Sequence, residues 1–367
     1  MDGAWAIGKA GRSIDDIINY IQVNHMKAIG FQTIHEGAEP EALEDIELDR
    51  PKPSARDLLV QVKAVSVNPV DTKVRRRTAD TGGVHQVLGW DAVGKVVAMG
   101  GQATSYQIGD RVWYAGDITR PGANAEYHLV DERIVGRCPE TLSDAEAAAI
   151  PLTAITAWEL LFDRLGFDQT IAEGAESRPR LLIVGAAGGV GSILVQLAKR
   201  LSNAVVIGTA SRPESQTWVM DLGADHVIDH RRSFAQELTR IGIDKVTHVI
   251  SLNHTDDHFD NLVDVLAPQG KFALIDDPQT LLDVRKLKQK SISLHWELMF
   301  TRSMFQTDDM TKQRDLLNRV AELIDTGDIR TTVGANYGAI CADNLRRAHR
   351  DIESGRSIGK IVLEGFG

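Results

Sequence analysis

The chain has 367 residues, 43% hydrophobic and 25% charged, and a formal net charge of −10 at pH 7. That length accommodates about two domains with a sizeable core, and the acidic balance argues against a general nucleic-acid or anionic-membrane surface, since both require a basic field. Two cysteines, Cys138 and Cys341, provide neither a disulfide framework nor a four-cysteine zinc site and suit a reducing, cytoplasmic compartment.

Residues 1–25 read as an N-terminal extension. Ser13 is a candidate N-cap, followed by Ile14, Ile17, Ile18 and Ile21 on one helical face. The segment lacks the apolar core of a signal peptide, and a docking helix and a start-site extension are equally compatible with it. From Met26, strand-like runs at 58–65, 92–98, 111–114 and 125–130 alternate with Gly, Pro and Asp turn signals, which predicts a mostly β domain. Arg75, Arg76 and Arg77 are expected in a solvated loop of that domain, with an anion site as the alternative.

After Ser143 a helix-rich stretch leads into repeated strand–helix units. Strands are predicted at 180–184, 204–210, 226–229, 246–252 and 271–276, the pattern of a doubly wound α/β domain. Residues 181–198 run for 18 positions without a charge, but their glycines and their change of periodicity argue against a membrane span. Beyond about 297 the sequence is mixed and ends in the strand-like Gly359–Glu364, expected to return to the first domain. The predicted organisation is an extension over 1–25, a split domain over 26–152 and 297–367, and an α/β domain over 153–296.

Gly185-Ala-Ala-Gly-Gly-Val-Gly191 lies where the first of these strands hands over to a helix. Glycine is entropically costly in either element, so four in seven positions imply close approach of the backbone to something bulky. A buried strand, a Gly-rich turn and a helix start form the first unit of a dinucleotide fold, in which helix amides receive a pyrophosphate. Gly185, Ala187, Gly188, Gly189, Val190 and Gly191 are the candidate contacts. The next strand ends at Ser211-Arg212, where an NAD-selecting protein ordinarily places a carboxylate for the ribose hydroxyl. Arg212 suits a 2′-phosphate, so NADPH is the predicted cofactor, a plain surface arginine being the alternative.

Several motifs occurring in order carry a resemblance. They are Ser66-Val-Asn-Pro-Val-Asp-Thr-Lys73, Leu88-Gly-Trp-Asp-Ala-Val-Gly94, Gly109-Asp-Arg-Val112, Ala148-Ala-Ile-Pro-Leu-Thr-Ala154, the glycine turn and Gly359-Lys-Ile-Val362. From Met26 to Gly367 the chain resembles the medium-chain dehydrogenase/reductase superfamily, in its zinc-independent, ζ-crystallin-like quinone oxidoreductase branch. The resemblance implies a GroES-like, mostly β catalytic domain split around a Rossmann-type parallel sheet, a homodimer, and NADPH-dependent hydride transfer to quinones, enones or alkenals. It also implies Asn68 as the active-site asparagine and Thr153 near the nicotinamide. In the zinc alcohol dehydrogenases a cysteine stands where this chain has Asn68, and a His-Glu pair where it has Trp90-Asp91. Without those ligands no resident metal is expected, and simple alcohol oxidation is disfavoured.

Asp71 is expected to order its loop through Lys73 or a neighbouring basic residue, in preference to acting as an acid. Asn253 is a further candidate cofactor contact, and His230 either contacts the adenosine phosphate or is an exposed loop residue. The spacing of His254 and His258 permits a metal site, although a loop beside the ribose is the preferred reading. In the apolar segment 295–305 a core or dimer interface is the default, with Trp296 and Phe300, together with Trp90, as candidate pocket residues. A non-catalytic NADPH-binding redox or structural protein is the alternative function, and Asn68 favours an enzyme over it.

Overall fold

The computed structural model describes residues 24–33, 39–169 and 178–367; the extension read over 1–25 falls almost wholly outside them. The chain begins with a small antiparallel sheet, order β2-β1-β4, made of β1 (His25–Phe31), β2 (Glu44–Asp49) and, after the long β3 (Asp57–Val67), β4 (Gln86–Val87). The larger sheet of this first domain takes β3 together with β5 (Ala92–Met99), β6 (Arg111–Tyr114), β7 (Tyr127–Asp131) and β8 (Val135–Arg137).

The parallel domain follows with β9 (Arg180–Val184), β10 (Val205–Thr209), β11 (His226–Ile228), β12 (Val246–Ser251), β13 (Leu266–Leu274) and β14 (Ser293–Trp296). They form one six-stranded parallel sheet in the order β11-β10-β9-β12-β13-β14. The α/β class with a GroES-like β domain and a Rossmann-type sheet is thus what the chain adopts. Strand β14 is a difference from the sequence reading. Four residues, exposed at both ends and half-buried between, carry too little pattern to be separated from the apolar segment after them. The chain then returns: β15 (Val333–Asn336) and β16 (Lys360–Glu364) join the larger sheet, with β16 antiparallel to β3.

Period-2 alternation explains the layers. In β9, Leu181 and Ile183 enter a core that also holds Val60, Val65, Ile193 and Leu317, while Leu182 and Val184 enter a second cluster with Ile207, Val249 and Phe272. The first of these cores runs without interruption through both domains. The helical stretch 144–164 is apolar and long enough to cross a membrane, but 83% of its most apolar 18 residues are buried inside the protein. It opens on Ser143, whose hydroxyl accepts from Glu146 N while the Glu146 carboxylate accepts from Ser143 N.

Arg75, Arg76 and Arg77 are not in a loop. They form the last turn of the helix Pro69–Arg77, which starts with proline at its first position and places cations at its C-terminal end. Arg75 is fully buried and meets Glu353 at 2.6 Å and the imidazole of His349. It is a structural ion pair, not an anion site.

Candidate active site

Three strand ends converge. Asn68 follows β3; Asp91 precedes β5, with Ser66 N donating to its carbonyl at 3.2 Å; and the register of β16, Ile361 opposite Val67, sets Lys360 beside Asn68. Asn68, Asp91 and Lys360 are 1%, 0% and 3% exposed. The Lys360 ammonium donates to Asn68 Oδ1 and, at 2.9 Å, to Asp91 Oδ2. Asn68 Nδ2 donates to Asp91 Oδ2 at 2.8 Å, Ser66 Oγ donates to the same oxygen at 2.9 Å, and Leu152 N donates to Asp91 Oδ1 at 2.7 Å.

Asn68 occupies the N-cap position of Pro69–Arg77, yet its side chain is spent on Asp91 and Lys360 and not on the helix amides. Forgoing a cap costs about 1 kcal/mol, the mark of a side chain held for another purpose. Asp71 compensates in part: its Oδ2 accepts from Asn68 N at 2.7 Å. The sequence reading that Asp71 works through Lys73 is therefore corrected. Two residues apart on a helix, the two side chains face different sides, and Lys73 instead meets Asp277 at 3.1 Å. Asp71 Oδ1 is buried without a partner. Burial raises the Asp71 carboxyl to about 7, although the Asn68 hydrogen bond and the Lys360 charge pull it down.

The glycine turn lies against this cluster. Gly185 has φ +81°, and its N–H donates to Thr209 Oγ1 at 3.1 Å. A Cβ on Gly185 would come within 2.8 Å of Asn253 Oδ1, so Asn253 stands at the point between β9 and β12 where the strand order reverses. A Cβ on Gly191 would strike Gly185 O at 2.4 Å, making that glycine a packing requirement. A Cβ on Gly188 would meet nothing nearer than Gly185 O at 3.4 Å, and one on Gly189 would lie 2.8 Å from Lys360 Cδ and 3.3 Å from Thr153 Cγ2. Ala187 O accepts from Gly359 N at 2.9 Å, which ties the start of β16 to the turn. Gly189 and Val190 open the helix Gly189–Leu201, whose first amides have no intrahelical acceptor. An open, donor-rich cradle of this kind fits a pyrophosphate.

Thr153 is buried with its hydroxyl on Ile150 O at 2.9 Å, so it offers its methyl group to the turn. Ser211 and Arg212 end the β10 unit; Arg212 donates to Arg356 O at 2.7 Å, and Arg231, which pairs with Asp229, donates to Ser211 O at 2.7 Å. Arg231 was not anticipated, because only the folded loop brings it to Ser211. The His230 ring packs edge-on to His258 at 6.1 Å, and burial together with the His258 charge lowers its pKa. His254 is left-handed at φ 52° as the N-cap of the helix Thr255–Val265, with His258 N donating to its carbonyl at 3.3 Å, and its ring lies 3.3 Å from the Asp257 carboxylate. Trp90 and Phe300 are buried and meet edge-on at 6.2 Å, with Trp90 Nε1 donating to Asp117 O at 3.2 Å. Trp296, by contrast, is 54% exposed on the outer strand β14, so it is not part of that aromatic wall.

Residues 54–140 match the alcohol dehydrogenase GroES-like domain and residues 222–363 the zinc-binding dehydrogenase family. A zinc-type alcohol dehydrogenase-like protein of Staphylococcus epidermidis is 38% identical over 92% of this chain and 99% of its own. The chain belongs to the medium-chain dehydrogenase/reductase superfamily. Its place is in the ζ-crystallin-like branch, and it is an oxidoreductase of that superfamily. A Rhizobium etli protein, provisionally described as a zinc-dependent alcohol dehydrogenase, superposes with a TM-score of 0.87 at 51% identity, covering 94% of this chain and 99% of that one. The Escherichia coli quinone oxidoreductase complexed with NADPH superposes with a TM-score of 0.74 at 25% identity, covering 92% and 99%.

Zinc, which three of these names mention, does not fit this site. An amide and an indole stand where thiolate and imidazole donors are needed, and the Asn68 amide oxygen and the neighbouring Asp91 carboxylate are already engaged by the Lys360 ammonium.

Proposed function

We propose that the protein is an NADPH-dependent reductase of quinones or activated enones and alkenals, working without a metal. The observation that carries this reading is the buried Asn68 side-chain amide, held between Asp91 and Lys360 beside an open phosphate turn. The turn over Gly188–Gly191 would hold the pyrophosphate, Arg212 and Arg231 the 2′-phosphate, and Asn253 and Thr153 the nicotinamide half. When bound, NADPH supplies a hydride. Asn68 donates an N–H to the carbonyl oxygen that gains negative charge, and Trp90 with Phe300 forms an apolar wall that keeps water from that oxygen. A protonated Asp71 beside Asn68 adds no competing anion below about pH 7.

A second copy and a cytoplasmic setting belong to the same proposal. Strand β14 is an outer edge of the parallel sheet, and Trp296, Leu298 and Phe305 are exposed on it and just after it, which supports edge-to-edge pairing in a homodimer.

The test is NADPH consumption with benzoquinone, an alkenal and a cyclic enone. Asn68→Ala is expected to lower kcat by roughly 10²–10³, as loss of one oxyanion donor does. NADPH binding without turnover on any of them would instead favour a non-catalytic cofactor-binding protein.

A further inference from the structure

We propose that Lys360 is a positioning residue of this site: its buried ammonium orients and polarises the Asn68 amide, and its stem couples that amide to the phosphate turn. The proposal rests on the reading of Asn68 as an oxyanion donor. The two ends of an amide are alike in shape, but its neighbours here are not. An ammonium only donates and a carboxylate only accepts. With Lys360 Nζ on one side and Asp91 Oδ2 on the other, a single orientation satisfies both, carbonyl to the lysine and NH2 to the aspartate. That orientation leaves the second Nδ2 hydrogen for a substrate oxygen.

Asp91 cannot swing to follow a different arrangement. Its two oxygens already accept from Ser66 Oγ, Asn68 Nδ2, Lys360 Nζ and Leu152 N. The positive charge on the Asn68 carbonyl withdraws density from the amide and strengthens its N–H as a donor, the more so because the group is out of water. Lys360 is also attached to the cofactor side. Gly359 N bonds Ala187 O in the turn, and the Lys360 stem covers the space above Gly189. Whatever seats a pyrophosphate on Gly188 and Gly189 therefore bears on the residue that aims Asn68.

Lys360→Met tests this in the full chain. With benzoquinone, kcat is expected to fall about tenfold or more while the calorimetric dissociation constant of NADPH changes by less than about threefold, the signature of a transition-state effect. The isotope effect with NADPH deuterated at the transferred hydrogen should rise as hydride transfer becomes limiting. In protein labelled with ¹⁵N at asparagine, the Asn68 side-chain resonances should shift and exchange faster with solvent. Because the single variant leaves Asp91 buried without a counter-charge, Asp91→Asn/Lys360→Met removes both charges together and is expected to fold and remain slow. Loss of NADPH affinity with kcat intact would make Lys360 a phosphate ligand and overturn the proposal, as would a double variant with full kcat or an unchanged Asn68 spectrum. A native protein that never oxidises NADPH would remove the reductase reading, and the amide spectrum would still decide the role of Lys360.

Discussion

Gly188→Val separates cofactor binding from folding. Gly188 has φ −75° and ψ −178°, a conformation open to any residue, and its Cβ direction is free of protein atoms closer than 3.4 Å. As a poor N-cap, valine costs about 1 kcal/mol, offset by about 0.4–1 kcal/mol from the less flexible unfolded chain. The melting temperature should thus move by no more than about 3 °C for a domain of this size. The valine methyls would occupy the pyrophosphate volume, and each charge-assisted amide–phosphate bond lost costs about 1.5–3 kcal/mol, or roughly 10–150-fold in affinity. Gly191→Ala is the control. Its methyl would strike Gly185 O and Ala186 C at 2.4 and 2.6 Å, and such overpacking costs about 1–3 kcal/mol of stability. Calorimetric NADPH titration and thermal melts of both variants decide the matter. If Gly188→Val keeps native affinity while its melting temperature falls sharply, the glycines are packing devices and the cofactor reading of the turn is wrong.

Arg212→Ala should erase most of an NADPH preference over NADH of roughly 10- to 150-fold, measured by titration with each cofactor, whereas equal affinities in the native protein would refute the 2′-phosphate assignment. Purified protein should hold well under one equivalent of zinc by elemental analysis, with activity unaffected by chelators, and stoichiometric zinc would overturn the mechanism. His128 stacks on Tyr114, and burial pushes it down to about 4, so the unfolded chain takes up its proton first. The stability this histidine contributes is complete above about pH 6.5 and is lost as pH falls toward 4, by about 3 kcal/mol at about 1.4 kcal/mol per unit. Urea midpoints of wild type and His128→Gln should converge over that window, and a constant gap would refute the assignment.

The glycine turn and its flanking strand and helix were legible because they depend on local rules: a buried apolar run, residues without Cβ, a helix start. Asn68 was legible only through its motif, since nothing in the spacing says that an N-cap asparagine will abandon its helix. Lys360 was not legible as a site residue. In sequence it is a lysine at the head of an apolar strand, and only the pairing of β16 with β3 brings it to Asn68. Arg75 misled for the converse reason. Three consecutive arginines read as solvated, but on a helix they point in three directions, and one faces Glu353 and His349 inside. Asn68 and Pro69 were the available signal for that helix.

The pairing of β16 with β3 also dictates an order of events during synthesis. Ile361 lies opposite Val67 although nearly three hundred residues separate them. The first domain therefore leaves the ribosome with an open edge on its central strand, and the whole parallel domain is made before that edge is covered. The strands of the parallel sheet have all emerged with β14, while the sheet of the β domain has to wait for a contact of very high sequence separation, a slow class of closure. Until it forms, Asp91 and Asn68 lack their cation and the C-terminal edge of β3 lacks a partner strand. A nascent chain is thus most exposed to misassociation at β3, and the Asn68–Asp91–Lys360 cluster is completed in the same step that removes the exposure.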